Sequence, residues 1–166
     1  LIPAAGSGSR MGSATPKQYA PLAGRPLIEH AVRVLCAHPR IAAVFVVLAP
    51  GDTQFSACDW RGCEAKLSPL YCGGETRAAS VFNGLLAAND AIEGNDWVLV
   101  HDAARPCLGA QDIDRLIAEV GDSDTGGLLA VPVADTLKRA NAAQEVVQTE
   151  GRDRLWRAQT PQLFRY

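Results

Sequence analysis

Short apolar runs alternate along the chain with segments whose apolar residues recur at helical spacing. The continuous runs at residues 44–48 and 97–100 are typical of strands buried on both faces of a parallel sheet. Weaker patterns add strands at residues 1–2, 67–71 and 127–133, and helices at residues 26–35, about 111–120 and around Val81, Leu85 and Leu86. This alternation predicts an α/β fold, a Rossmann-like doubly wound and mostly parallel sheet.

Residues 135–159 break the alternation. They are polar, with short alternating patches at residues 146–149 and 155–158, which predicts a β-arm within a single domain of residues 1–166. The arm could fold over its own site or reach a partner subunit, and the pattern does not choose between these. Because the chain begins without Met inside a strand pattern and stops at Tyr166, where the start of another helix is expected, we expect it to be truncated at both ends.

Composition limits the class of partner. The 166 residues carry a net charge of −2 and are 48% hydrophobic, which is typical of a globular domain without the basic footprint of a nucleic-acid or membrane-surface protein. The five cysteines are odd in number and lack metal-ligand spacing. With no leader sequence and no apolar run near the roughly 18 residues of a membrane helix, we expect reduced thiols and a cytoplasmic location.

A glycine loop with two cations follows the first strand. Gly6 and Gly8 permit positive φ and close backbone approach to a ligand, while Arg10 and Lys17 supply positive charge. Met11 occupies the third glycine position of the dinucleotide fingerprint, and no Gly-Lys-Ser/Thr run occurs. The loop therefore favours a nucleoside triphosphate site of another kind, although the glycines alone could serve only a tight turn.

Two further loops follow predicted strands, at residues 73–77 and 102–105. Ligands of doubly wound sheets bind at the carboxyl ends of the strands. We therefore expect these loops and the glycine loop to meet at one site.

Six motifs in order carry a resemblance to a known family. They are Pro-Ala-Ala-Gly-x-Gly-x-Arg-Met from residue 3, Pro-Lys-Gln-Tyr from 16, Gly-Gly-x-x-Arg-x-x-Ser-Val from 73, His-Asp-Ala-Ala-Arg-Pro from 101, Asp-Thr at 135 and Thr-Pro-Gln at 160. Over its whole length the chain resembles the 2-C-methyl-D-erythritol 4-phosphate cytidylyltransferases. The resemblance implies a sheet of the nucleotide-diphospho-sugar transferase type and Mg²⁺-dependent transfer of a cytidylyl group from CTP to 2-C-methyl-D-erythritol 4-phosphate, with release of pyrophosphate, in non-mevalonate isoprenoid biosynthesis.

The resemblance also implies residue roles. Arg10 and Lys17 would stabilise the transition state and Arg152 would position the acceptor phosphate. Asp102, Arg105 and Thr136 would also bind the acceptor, and Asp102 would lie near the metal. The residues implied around the nucleotide are Pro3, Ala4, Ala5, Gly6, Gly8, Gly74, Glu75, Arg77, Ser80 and Ala103. In this family the arm crosses to a second subunit, which implies a homodimer.

The chemistry agrees with these residue types. The acceptor phosphate, with a second pKa near 6, is already mostly a dianion at neutral pH and needs no general base. We therefore expect His101, at the end of a buried strand, to be a neutral structural residue.

The chain departs from the family at two places. Family arms carry Asp just before the arginine and a small residue two positions after it, whereas Gly151 precedes Arg152 and Arg154 follows, so a slip of register would make Arg154 the ligand. The family also continues with an Asp-Glu-Ala-Ser run and a later lysine, beyond Tyr166. Two other functions stay open, a cytidylyltransferase for another polyol phosphate such as ribitol 5-phosphate and a non-catalytic nucleotide-binding module.

Overall fold

The computed structural model describes residues 1–6, 15–121 and 123–166. Within these ranges the chain forms ten strands and three helices of eleven residues each. The strands are β1 (Ile2–Pro3), β2 (Pro21–Leu22), β3 (Arg25–Pro26), β4 (Val44–Val47), β5 (Leu67–Leu70), β6 (Trp97–Val100), β7 (Gly127–Pro132), β8 (Leu137–Ala140), β9 (Val146–Glu150) and β10 (Trp156–Arg165). The helices are α1 (Leu27–Ala37), α2 (Arg77–Ala87) and α3 (Ala110–Val120).

One half of the central sheet is parallel. Strand β4 pairs with β1 and with β5, both in parallel, and aligns Val46 with Ile2. On the other side of β1, the Leu1 nitrogen donates to the Leu99 carbonyl at 2.7 Å and the His101 amide donates to the Leu1 carbonyl at 3.0 Å. This staggered pair is the parallel pattern, so β6 continues the sheet next to β1.

Helices cover both faces of this parallel half. Helix α1 buries Ile28, Val32 and Leu35 in the main core beside β1 and β4. Helix α2 packs on the opposite face, where Gly84 allows a close approach to Val47. The apolar strands are therefore enclosed on both sides, as their continuous hydrophobic runs predict.

The other half of the sheet is antiparallel. Strand β10 lies between β6 and β7 and pairs Leu163 with both Leu99 and Gly127. A register shift between Ala158 and Gln162 accommodates Pro161, which cannot donate to a ladder. Helix α3 covers one face of this half.

The predicted α/β fold is confirmed, with two differences in detail. Strands β8 and β9 form a separate two-stranded antiparallel hairpin within the residues expected to form the arm, 135–159, but residues 156–159 already belong to β10. The helix expected near Tyr166 is wrong, because the preceding residues extend β10 along β6. Among the described residues, no helix has the length and apolarity to cross a bilayer.

Candidate functional site

The loops after β1 and β5 touch each other at the carboxyl edge of the sheet. The Gly73 amide donates to the Leu48 carbonyl at 2.8 Å. A Cβ at position 73 would overlap the Cβ of Ala5 and come within 2.8 Å of the Leu48 oxygen. Only glycine therefore lets the two loops lie in contact.

The loop after β5 is fixed by the first turn of α2. Thr76 caps the helix by accepting a hydrogen bond from the Ala79 amide at 3.0 Å. The buried Ser80 hydroxyl accepts from the Gly74 amide at 3.1 Å and lies 3.0 Å from the Thr76 carbonyl. A Cβ on Gly74 would lie 2.6 Å from the Cβ of Ala79, so this turn also requires glycine. Glu75, which lies between Gly74 and Thr76, is exposed.

Asp102 links the loop after β6 to helix α2. Its two carboxylate oxygens accept hydrogen bonds from Arg77 Nε at 2.8 Å and from Arg105 Nε at 3.0 Å. Burial alone would raise the pKa of Asp102, but the hydrogen bonds from Arg105 and Arg77 outweigh it and hold the pKa below its ordinary value. Asp102 is thus an ionised carboxylate between two cations, with its side chain 29% exposed.

His101 is part of the scaffold of this loop. Its Nε2 lies 3.0 Å from the Arg105 carbonyl, which can only accept, so Nε2 carries the proton. Nδ1 is then the acceptor for the Thr160 hydroxyl at 3.1 Å, and Thr160 in turn accepts from the Asp102 amide at 3.1 Å. Burial lowers the pKa of His101 and favours the neutral ring.

Lys17 is exposed on a single 3₁₀ turn, Lys17–Tyr19. The next residue, Gln18, is buried and donates from Nε2 to the carbonyls of Ala4 at 2.7 Å and Gly6 at 3.2 Å. These bonds tie the lysine turn to the loop after β1. Gly8 and Arg10 lie outside the described residues.

The other predicted nucleotide residues have mainly backbone roles here. Pro3 ends β1, and the Ala4 amide donates to the Val47 carbonyl at 2.7 Å. Ala103 is buried in the main core behind Asp102.

The predicted acceptor residues of the arm lie at the surface. Thr136 and Arg152 are both exposed. Arg152 donates from Nη1 to the Ala134 carbonyl at the base of the hairpin. In contrast, Arg105 also donates to the Gln159 side chain, which connects the loop after β6 to strand β10.

A cavity of about 450 Å³ opens beside Arg105. Its polar lining includes His101, Arg105, Asp112, Arg115, Gln159 and Thr160. A volume of this size is in the range of small-molecule sites.

The donor set for a divalent metal is limited. No cluster of three or more His, Cys, Asp or Glu side chains occurs within residues 1–6, 15–121 and 123–166. Mg²⁺ is commonly held by one or two carboxylates together with substrate phosphates. Asp102, which keeps free lone pairs beside the two arginine hydrogen bonds, fits that mode of binding.

Sequence reasoning assigned no role to three residues that hold this site together. Gln18 orders the loop after β1, while Thr160 and Gln159 brace the loop after β6. Gln18 and Thr160 lie within motifs of the resemblance, which was the available signal. Their partners, both backbone and side-chain groups, lie 12 to 59 residues away along the chain, and no local pattern reveals such contacts.

The position of these loops defines a class of protein. In the order β5-β4-β1-β6, the chain moves from β1 outward through β4 to β5 and then crosses back to place β6 on the other side of β1. Doubly wound sheets bind ligands at this switch point, between β1 and β6. Here the point presents glycine loops, a lysine and an ionised carboxylate flanked by arginines, a set suited to polyanionic substrates. The class is that of the α/β enzymes that transfer nucleotidyl groups.

Comparison with known proteins identifies the family within this class. The family model of IspD, 2-C-methyl-D-erythritol 4-phosphate cytidylyltransferase, matches residues 1–166. The chain belongs to this family. It is 60% identical over 168 residues to the protein of that name from Nitrosospira multiformis, covering 100% of this chain and 72% of the relative. It is 57% identical over 166 residues to the one from Aromatoleum aromaticum, covering 100% and 71%.

Solved structures agree. A crystal structure of a 4-diphosphocytidyl-2C-methyl-D-erythritol synthase matches with a TM-score of 0.84 and 39% identity, over 99% of this chain and 73% of that one. The 2-C-methyl-D-erythritol 4-phosphate cytidylyltransferase of Francisella tularensis matches with a TM-score of 0.80 and 35% identity, over 99% and 70%.

Proposed function

We propose that the chain transfers a cytidylyl group from CTP to 2-C-methyl-D-erythritol 4-phosphate, releasing pyrophosphate in non-mevalonate isoprenoid biosynthesis. The observation that carries the proposal is the family match over all 166 residues. The loop contacts at the carboxyl edge support it, because they assemble the phosphate-facing backbone and the cations at one place.

The transfer step needs positioning and charge relief rather than a general base. The acceptor phosphate is its own nucleophile at neutral pH. Its oxygen attacks the α-phosphorus of CTP in line and pyrophosphate leaves. The buried His101 supports this view, since both of its ring nitrogens are engaged by Thr160 and the Arg105 carbonyl.

Two cations are assigned to the triphosphate. Lys17, and Arg10 outside the described residues, would stabilise the charge that develops on the α-phosphate and the leaving pyrophosphate. The backbone of residues 3–6 and 74–75, with Ala103 and the Ser80 hydroxyl, would line the cytidine. Arg77 would brace this pocket through Asp102.

The acceptor would bind on the side of β6 and β10. Arg105 lines the 450 Å³ cavity, and Asp102 lies in the same loop and is hydrogen-bonded to it. Thr136 and Arg152 would reach the acceptor from the arm. Arg154 has a φ of +64°, a conformation that favours glycine. Position 154 therefore suits the small residue of the family arm, which supports Arg152 as the acceptor ligand.

A homodimer would bring the arm to a neighbouring site. The apolar side chains of Val146, Val147 and Trp156 are exposed on the arm and the adjoining end of β10, which supports contact with a second copy. Sedimentation equilibrium of the full-length protein would test this, with a dimer expected.

Divalent magnesium is the proposed cofactor. Asp102 would hold it together with the phosphates of CTP, and the bound ion would supply Lewis-acid neutralisation of the triphosphate charge. All five cysteines are free thiols in the structure, which supports a cytoplasmic setting.

Pyrophosphate release by the full-length protein tests the proposal. Release is expected with CTP, Mg²⁺ and 2-C-methyl-D-erythritol 4-phosphate, and not with ribitol 5-phosphate. Arg10→Ala should abolish it, whereas Arg40→Ala, beyond the far end of α1 at the opposite edge, should not. Release with ribitol 5-phosphate but not with 2-C-methyl-D-erythritol 4-phosphate would show that the proposed acceptor is wrong. No release with either acceptor would favour a non-catalytic nucleotide-binding module.

A further inference from the structure

The exposed Lys17 is followed by two anchored residues. Gln18 is 6% exposed and Tyr19 is 7% exposed, whereas Lys17 is exposed. The turn is closed by hydrogen bonds from the Tyr19 amide to the Pro16 carbonyl at 2.9 Å and from the Ala20 amide to the Lys17 carbonyl at 3.1 Å. The position of the lysine is therefore set through its backbone.

The first anchor points toward β1. Gln18 donates to the carbonyls of Ala4 and Gly6, and the amide of Ala4 is itself bound to the Val47 carbonyl of β4. This anchor fixes the turn relative to the glycine loop.

The second anchor points toward the loop after β4. The Tyr19 hydroxyl donates to Asp52 Oδ2 at 2.7 Å. The other oxygen, Asp52 Oδ1, accepts from the amides of Gln54 at 2.9 Å and Phe55 at 3.0 Å. Burial, followed by the hydrogen bond to Asp52, raises the pKa of Tyr19, so the hydroxyl is protonated at neutral pH and can donate.

We propose that the Tyr19–Asp52 hydrogen bond positions Lys17 for the transfer step, with Tyr19 and Asp52 acting as positioning residues that touch neither substrate. The proposal rests on the proposed function, in which Lys17 stabilises the transition state. A lysine ammonium is a point charge on a flexible stem, so its benefit depends on where its backbone is held. Misplacement of a catalytic group by about 1 Å can cost about a hundredfold in rate.

A double-mutant cycle between Tyr19 and Lys17 tests the proposal in the full-length protein. Tyr19→Phe removes only the hydroxyl and should lower kcat for pyrophosphate release by roughly ten- to a hundredfold, with the KM for the acceptor unchanged. In a Lys17→Ala background the same change should have no further effect on kcat, because the group being positioned is gone. Asp52→Ala, which removes the acceptor of this hydrogen bond, should lower kcat at least as far as Tyr19→Phe does.

Tyr166→Phe is the matched control, because Tyr166 also donates a side-chain hydrogen bond, to Asn89 Oδ1 at 2.9 Å, at the opposite edge of the sheet. Its kcat should be unchanged. An equal loss of kcat from Tyr19→Phe in the wild type and in Lys17→Ala would overturn the proposal, as would no loss at all.

Amide hydrogen exchange separates this proposal from the proposed function. The amides of Tyr19 and Ala20, which close the turn, should exchange faster in Tyr19→Phe than in the wild type. Unchanged exchange would count against the anchor whether or not the protein is active. If the wild type releases no pyrophosphate but Tyr19→Phe still speeds exchange in the turn, the proposed function is refuted. The role of the Tyr19–Asp52 bond in the transfer step is then refuted too, whereas its anchoring of the turn is not.

Discussion

The parallel and antiparallel halves of the central sheet are covered differently. In the parallel half, α1 and α2 enclose the strands, and Ile2 and Val46 are completely buried. In the antiparallel half, α3 covers the face that carries Leu163, while the alternate residues Leu128 and Phe164, on the opposite face, are each 41% exposed among the described residues. The parallel half is thus enclosed on both faces, whereas the antiparallel half presents open surface.

The proposed binding roles divide along the same line. Apart from Ala103, the residues assigned to the nucleotide follow β1 and β5, in the enclosed half, where the two loops touch each other through Gly73 and Ala5. The residues assigned to the acceptor follow β6 or lie on the arm next to β7 and β10. In the proposed reaction both substrates are bound when the transfer occurs, and a well-packed support for the nucleotide loops would help to hold CTP in position.

The largest expected effect tests the nucleotide side. Lys17→Ala should lower kcat for pyrophosphate release by about a hundred- to a thousandfold, the usual cost of removing one electrostatic stabiliser of a transition state. The free energy of unfolding should stay unchanged because the side chain is exposed. Lys138→Ala, an exposed arm lysine bound to Thr149 at 2.7 Å, is the control. A similar loss of kcat in both variants would show that the effect comes from the change in net charge and not from the position of Lys17.

The next effect tests the difference in packing between the two halves. Ile28→Ala removes a completely buried side chain between α1 and the parallel strands and should cost about 2 to 5 kcal/mol of unfolding free energy. Leu128→Ala, in the antiparallel half, should cost less than about 1 kcal/mol because its side chain is already partly in water. Urea unfolding of both variants measures this, and equal losses would mean that the two halves are equally well packed.

The enclosed half is also where the sequence was most informative. The run at residues 44–48 predicted β4 to within one residue, and the helix predicted at residues 26–35 begins and ends within two residues of α1. These elements are buried or amphipathic, so their own side chains record their surroundings. The glycines of the loop after β5 also marked a real close contact, seen at Gly73.

The open half was predicted less well for a physical reason. Strand β10 contains Pro161 and polar residues at 157 and 159, so its pattern resembles a loop rather than a central strand. Its place between β6 and β7 depends on pairing with distant segments, as does the contact of Thr160 with His101. Pairings of this kind are not written in local periodicity.

A smaller effect tests the carboxylate where the two halves meet. Because the pKa of Asp102 is lower in the folded protein than its unfolded value of about 3.9, its ion pairs stabilise the fold above that pH. The stabilisation is lost as pH falls through the lowered folded pKa. Asp102→Asn should therefore cost about 1 kcal/mol at pH 7 and progressively less below about pH 4. Unfolding curves for both proteins across this range would contradict the prediction if the difference did not depend on pH.

The smallest effect tests the arm. Arg154→Gly should raise the unfolding free energy by about 0.5 kcal/mol, because relief of the left-handed backbone at φ +64°, worth about 1 kcal/mol, is partly offset by the greater freedom of glycine in the unfolded chain. The KM for the acceptor should not change, whereas Arg152→Ala should raise it at least about tenfold, as expected for loss of a charged contact to phosphate. Steady-state kinetics with varied acceptor measures both. If Arg154→Gly raised that KM and Arg152→Ala did not, Arg154 would be the phosphate ligand.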